Sequence, residues 1–110
     1  MNKRVSEYFV KKRYPLLAAI QEPIRFDTLT LLSRKNMSYT EIMLDLGLDY
    51  DNDTISGKNR QSGYFAFHIR ILKAQHLVEK SSRNGLYFIT VKGLNVLNGA
   101  KIINEAEMFL

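Results

Sequence analysis

The 110-residue sequence contains no cysteine, and that absence removes several kinds of chemistry. Disulfides, thiolate nucleophiles and thiol-based metal sites are excluded, and a reducing compartment is compatible with the chain. Long apolar runs are missing too. No stretch approaches the roughly 20 residues that a helix needs to cross a bilayer, so no membrane partner is expected. The basic start Met1-Asn2-Lys3-Arg4 is not followed by the apolar core of a signal peptide. Catalytic signatures are equally scarce: no nucleophile–base pairing, Gly-rich phosphate loop or His-Glu-x-x-His pattern stands out, and no enzyme is expected. Asp49-Tyr50-Asp51-Asn52-Asp53 opens like a calcium loop, but the sixth and twelfth positions, which require Gly and Glu, hold Thr54 and Arg60. His68 and His76 lie about 12 Å apart along one helix, too far to chelate one ion. Neither metal nor cofactor is expected.

Charge of one sign is also absent by segment. Residues 38–57 carry five acids and no base, whereas residues 58–93 carry seven bases and one acid. Residues 1–37 add eight bases against three acids, for a net charge of +5 over the chain. Two basic blocks around an acidic stretch suit a polyanionic partner. The length is that of one domain, and a chain this short buries a modest core and gains stability from a second subunit.

The apolar spacing predicts mostly helices. Val5, Tyr8 and Phe9 suggest a helix over 3–13, followed by a basic cluster at Lys11-Lys12-Arg13 and a break at Pro15. A short helix from Leu16 to Ile20 follows. Pro23 suits the first turn of the next helix, which Ile24, Leu29, Leu31 and Leu32 carry to about Lys35, with Arg34 and Lys35 in its last turn. Ser38-Tyr39-Thr40-Glu41 is a capping box. The helix it opens carries Ile42, Leu44 and Leu46 and stops at Gly47. Residues 49–62 are polar and aperiodic and are expected to form a loop. Phe65, Ile69, Leu72 and His76 form one stripe of a helix over about 62–75, with Gly63, Phe67 and Arg70 pointing the other way. Leu77–Lys80 and Leu86–Thr90 read as strands joined at Arg83-Asn84-Gly85, where Asn-Gly is the strongest short-range hairpin signal. A final helix runs from about Val91.

The stretch Phe65 to Val78 resembles the recognition helix of ArsR-type winged-helix regulators. That family's pattern is a Ser-x-His-Leu core, then Leu, then Gly-Leu-Val. His68, Leu72, Leu77 and Val78 match, while Ala66 stands for the Ser, Ile69 for the Leu and His76 for the Gly. Glu22–Leu32 and Ser38–Leu48 resemble the family's first and second core helices. Leu86–Gly93 resembles its second wing strand and the Thr-x-x-Gly opening of its last helix. The likeness covers roughly residues 16–100, and the basic, cysteine-free, terminally extended form is similar to the small archaeal members. The loop at 49–62 is a departure, about ten residues longer than the usual turn.

The resemblance implies a mainly α fold with a small β-hairpin: a winged helix-turn-helix with extended N- and C-terminal helices. One domain, 1–110, would comprise an N-terminal helix (1–15), a winged-helix core (16–90) and a C-terminal dimerisation helix (91–110). The implied function is sequence-specific binding of double-stranded DNA to regulate transcription, as a cytoplasmic, nucleoid-associated homodimer. Lys58 and Arg60 would lead into the recognition helix, whose open face carries Gln61, Ser62, Tyr64, Phe67 and Arg70, with Lys73 at its edge. Arg70 can bond guanine with two N–H groups, and Phe67 can touch a thymine methyl. Lys80, Arg83 and Asn84 cluster at the wing, suited to a phosphate backbone or a minor groove. Ser38, Tyr39 and Thr40 offer hydroxyls and free N–H groups at a helix start. On the last helix, Val91, Leu94, Leu97 and Ile102 can face the core. Val96, Ile103, Ala106 and Leu110 extend round the other side, where Tyr8 and Phe9 could join them in a dimer interface. Winged helices also serve as protein-contact modules, for example in transcription or replication assemblies, and exposed Phe67 with the acidic loop fits that alternative.

Overall fold

The computed structural model describes residues 15–48 and 60–108. The expected helix at 3–13 with Tyr8 and Phe9, residues 49–59 of the expected loop with Lys58, and Leu110 lie outside the described residues. The chain is mainly helical, with one antiparallel hairpin. Its order is α1 (Pro15–Gln21), α2 (Pro23–Leu32), α3 (Tyr39–Asp45), α4 (Arg60–Ala74), β1 (Val78–Lys80), β2 (Tyr87–Ile89) and α5 (Val91–Met108).

Several helix ends have a local cause. Glu22 caps α2, its carboxylate accepting from the Ile24 N–H at 2.8 Å. The helix stops at Leu32, three residues short of the sequence expectation, so Arg34 and Lys35 lie beyond it. The reason is long-range. Met37 forms an isolated antiparallel bridge with Tyr87, its N–H donating to Tyr87 O (3.1 Å) and the Tyr87 N–H to Met37 O (2.8 Å). The chain must leave the helix early to bring Met37 extended against β2. Ser38 caps α3 as expected: the Glu41 N–H donates to Ser38 Oγ at 3.1 Å and the Ser38 N–H to Glu41 Oε1 at 3.0 Å. α3 closes with Gly47 at φ +77°, Leu48 N–H reaching back to Met43 O and Gly47 N–H to Leu44 O. This is the paired-bond termination that a left-handed residue permits. The same pattern ends α4, where Leu77 N–H bonds Leu72 O and His76 N–H bonds Lys73 O. His76 occupies the left-handed position at φ 59° without being glycine. It is exposed and outside the helix, so it does not extend the apolar stripe of α4.

The hairpin lies where the Asn-Gly signal puts it, but its turn is longer. Ser81 and Leu86 close the loop through a 2.8 Å bond, and Gly85 alone takes positive φ (+72°). Asn84 instead accepts the Leu86 N–H on its side-chain oxygen at 3.0 Å. In the ladder Val78 pairs with Ile89, Glu79 with Phe88 and Lys80 with Tyr87.

Leu29 and Leu32, Ile42 and Met43, Phe65, Ile69 and Leu72, Leu77 and Val78, and Leu97 meet in one core, closed by Ala19 and Ile20 from α1. α5 turns Leu97 and Ala100 inward, and Val96 packs against the same core rather than standing free. Val91 and Ile102, expected inside, are 75% and 67% exposed. Leu44 is likewise outward, and Met43 takes its place in the core. Thr90 joins hairpin to helix: its hydroxyl donates to His76 O at 2.7 Å and accepts the Gly93 N–H at 2.9 Å. Among the described residues no helix is long and apolar enough to cross a membrane.

Candidate nucleic-acid interface

α4 has two unlike faces because its apolar residues recur at helical spacing. Phe65, His68, Ile69 and Leu72 are buried, whereas Gly63, Tyr64, Phe67, Arg70 and Lys73 are exposed. Its first turn starts at Arg60, two residues earlier than expected, so Arg60 and Gln61 belong to the helix; their side chains lie outside the description. The start of α3 is fastened to the start of α4. Tyr39 donates its hydroxyl to Ser62 O at 2.6 Å, and its ring meets Phe65 edge-on with centroids 4.8 Å apart.

Two of the hydroxyls expected at the start of α3 already have partners within the fold. The Ser38 oxygen is engaged in the cap, and the Tyr39 hydroxyl in the bond to Ser62. The backbone and side-chain bonds from Ser38 hold the Glu41 carboxyl below its ordinary value, which keeps a negative charge beside this helix start. A carboxylate there competes with a phosphate for the same N–H groups. Of the three residues, Thr40 alone is exposed. Ser38 and Tyr39 are half-buried, and each has a hydroxyl engaged in a bond within the fold.

Arg83 and Asn84 are exposed at the hairpin tip. Lys80 lies across the ladder from Tyr87, its Nζ 5.7 Å from the centroid of the Tyr87 ring. Among the described residues no carboxylate forms an ion pair with Arg70, Lys73, Lys80 or Arg83. Tyr87, which the sequence reading did not single out, lines a groove with Tyr39, Arg70 and Lys73. The cross-strand register was its available signal, since Lys80 and Tyr87 stand at matching positions either side of the turn.

His68 sits beneath the exposed face. Its ring is flanked edge-on by Tyr64 and Phe67, at 4.7 and 5.2 Å. Arg25 donates to Nδ1 at 2.9 Å and, through Nε, to Ala19 O. A guanidinium is always a donor, so Nδ1 accepts, and the proton of the neutral ring lies on Nε2. That buried atom has no hydrogen-bond partner among the described residues. Burial, chiefly, lowers the His68 pKa; Arg25 adds to this, and Glu22, 3.9 Å from Nδ1, opposes it. The unfolded chain therefore binds a proton more readily than the folded one. The resulting stability is complete above the ordinary imidazole value of about 6.5 and is lost as the pH falls below it toward the folded value. Urea unfolding between pH 8 and 5 should show this loss in the parent and less of it in His68→Gln. Equal pH dependence in both proteins would remove His68 as the cause.

No group of three His, Asp or Glu side chains able to hold a metal occurs among the described residues. No family model and no curated protein matches the chain.

Proposed function

We propose that the protein is a winged helix-turn-helix regulator that binds double-stranded DNA, with α3 and α4 as the helix pair, α4 in the major groove and the hairpin as the wing. One observation carries this reading. The uncovered face of α4 presents Tyr64, Phe67, Arg70 and Lys73, while its opposite face is anchored in the core by Phe65, Ile69 and Leu72. A rigid helix with a basic, aromatic outer face has the width and the groups that a major groove accepts. The Met37 bridge beside the hairpin and the order of helices and strands are compatible with a winged helix. Arg83 at the tip is free to follow the phosphate backbone.

The test is a titration of preferred and scrambled duplexes at several salt concentrations. Affinity should fall steeply with salt, and Arg83→Ala should weaken all sequences alike, with a salt slope lower by about one. Salt-insensitive or absent duplex binding would favour a protein-contact module instead. For that second reading the 52% exposure of Phe67 is the supporting observation.

We also propose a homodimer through α5. Ile102 and Ile103 are 67% and 45% exposed near its end, and Ala106 is exposed one turn on. A second copy covering them would remove that apolar surface from water. Light scattering should give twice the 12.7 kDa chain mass; a monomer with undiminished DNA affinity would end the dimer proposal. The implied setting is the cytoplasm, on the nucleoid.

A further inference from the structure

The exposed residues of α4 do not form one straight face. At about 100° per residue, each step of three turns the stripe back by roughly 60°, so Tyr64 and Lys73 end on opposite sides of the helix. Tyr64 and Phe67 form one end of this winding stripe. Arg70 and Lys73 form the other, and they line an open groove of about 490 Å³ between α4, the start of α3 and β2. Tyr39 and Tyr87 supply aromatic walls, and Ala66 and Ala74 keep the helix side of the groove low. Lys80 reaches over Tyr87 from the neighbouring strand, with Nζ 5.7 Å from the ring centroid.

The charged side chains that line this groove, Arg70 and Lys73, have one sign, and the Glu41 carboxylate at the start of α3 is bonded to the Ser38 N–H. None of its lining residues is acidic. Glu79, adjacent to Lys80, pairs with Phe88 and so projects from the other face of the hairpin. Burial, with Tyr39 nearby, pushes the Tyr87 phenol above its ordinary value, so it contributes no negative charge at neutral pH. Among the described residues no carboxylate neutralises the three cations. A tetrahedral anion suits such a site: the Arg fork supplies paired N–H donors, and the two lysines supply point charges.

We infer that the groove between α4 and the hairpin seats a backbone phosphodiester through Arg70, Lys73 and Lys80, so that Arg70 holds the strand and does not read a base. This rests on the DNA-binding reading for its source of phosphodiester, and it divides α4 into a base-facing start at Tyr64 and Phe67 and a phosphate-facing end.

Two measurements on the full chain test it. The first adds an abasic deoxyribose-phosphate oligomer, or inorganic phosphate, to isotope-labelled protein. The oligomer should shift the resonances of Tyr39, Arg70, Lys73 and Tyr87, and the double variant Lys73→Ala/Lys80→Ala should abolish the effect. An unperturbed groove overturns the inference, as does a stronger response to inorganic phosphate than to the oligomer. The second measures duplex binding. Arg70→Ala should weaken every sequence by a common factor, roughly tenfold, and lower the salt slope by about one, and Arg70→Lys should restore most of the loss. Altered sequence preference in Arg70→Ala that Arg70→Lys fails to repair would return Arg70 to base reading. If the oligomer occupies the groove but the parent binds no duplex, the DNA-regulator reading falls and the phosphodiester site stands.

Discussion

Phe65→Ala should lower the free energy of unfolding by about 4 kcal/mol. Phe65 is fully buried at the centre of α4, and its ring meets Tyr39 at 4.8 Å. Truncation removes the largest fully buried side chain among the described residues and leaves a cavity that the surrounding helices can only partly fill. It also removes the partner that sets the Tyr39 ring, so the start of α3 loses its footing against α4. A total stability of roughly 5–15 kcal/mol makes this a large fraction. Denaturant unfolding should show a reduced midpoint at an unchanged slope. A loss below about 1 kcal/mol, far short of the usual cost of such truncations, would mean that α4 is not seated through this residue.

The second large effect is expected at Gly93, and it arises from the backbone. A Cβ built there would sit on the Leu77 carbonyl oxygen and 2.7 Å from Ile89 Cγ1. The carbonyl cannot retreat easily, because it accepts the Thr90 N–H at 3.0 Å. Gly93→Ala must therefore push α5 away from the hairpin, at a cost of roughly 3 kcal/mol. Gly99 is the internal control. It lies in the same helix, and a methyl group added there would meet nothing within 4 Å, so Gly99→Ala should be neutral or stabilising by up to about 1 kcal/mol. If both variants behave alike, the close approach at Leu77 is not what fixes α5.

Local chemistry made part of this fold legible in the sequence. The Ser38–Glu41 box, the left-handed Gly47 and the Phe65–Ile69–Leu72 stripe each depend on neighbours within a few residues, so spacing alone locates them, whereas the Thr90-x-x-Gly93 junction was legible only through the family resemblance. The features that sequence reading missed depend on distant partners. Met37 is a one-residue bridge with no periodicity, yet it decides where α2 ends. The hydrogen bond between Arg25 and His68 spans 43 positions. On α5, Val91 and Ile102 have the right residue type for a core but the wrong angular position, because Leu97 and Ala100 fix which side faces inward.

At the interface, the exposed positions of α4 followed from its period, since a helix with one apolar stripe must expose the other side. What spacing could not supply was the role of each hydroxyl and cation. The Tyr39 hydroxyl has the chemistry of a ligand contact, but its bond to Ser62 engages it within the fold. Tyr87 has the pattern of an ordinary strand residue, and only the register pairs it with Lys80.

The Tyr39–Ser62 bond has a consequence for how such a protein can change over evolution. The Tyr39 hydroxyl bond to Ser62 O and the contact of its ring with Phe65 tie the start of α3 to the start of α4 independently of the connection between them. The closure cost of a connection grows slowly with its length, by only about 0.6 kcal/mol for each doubling. An insertion between α3 and α4 should therefore leave the α4 surface in its orientation as long as Tyr39 keeps its bond to Ser62. Length variation between the two helices is thereby separable from the geometry of the proposed interface.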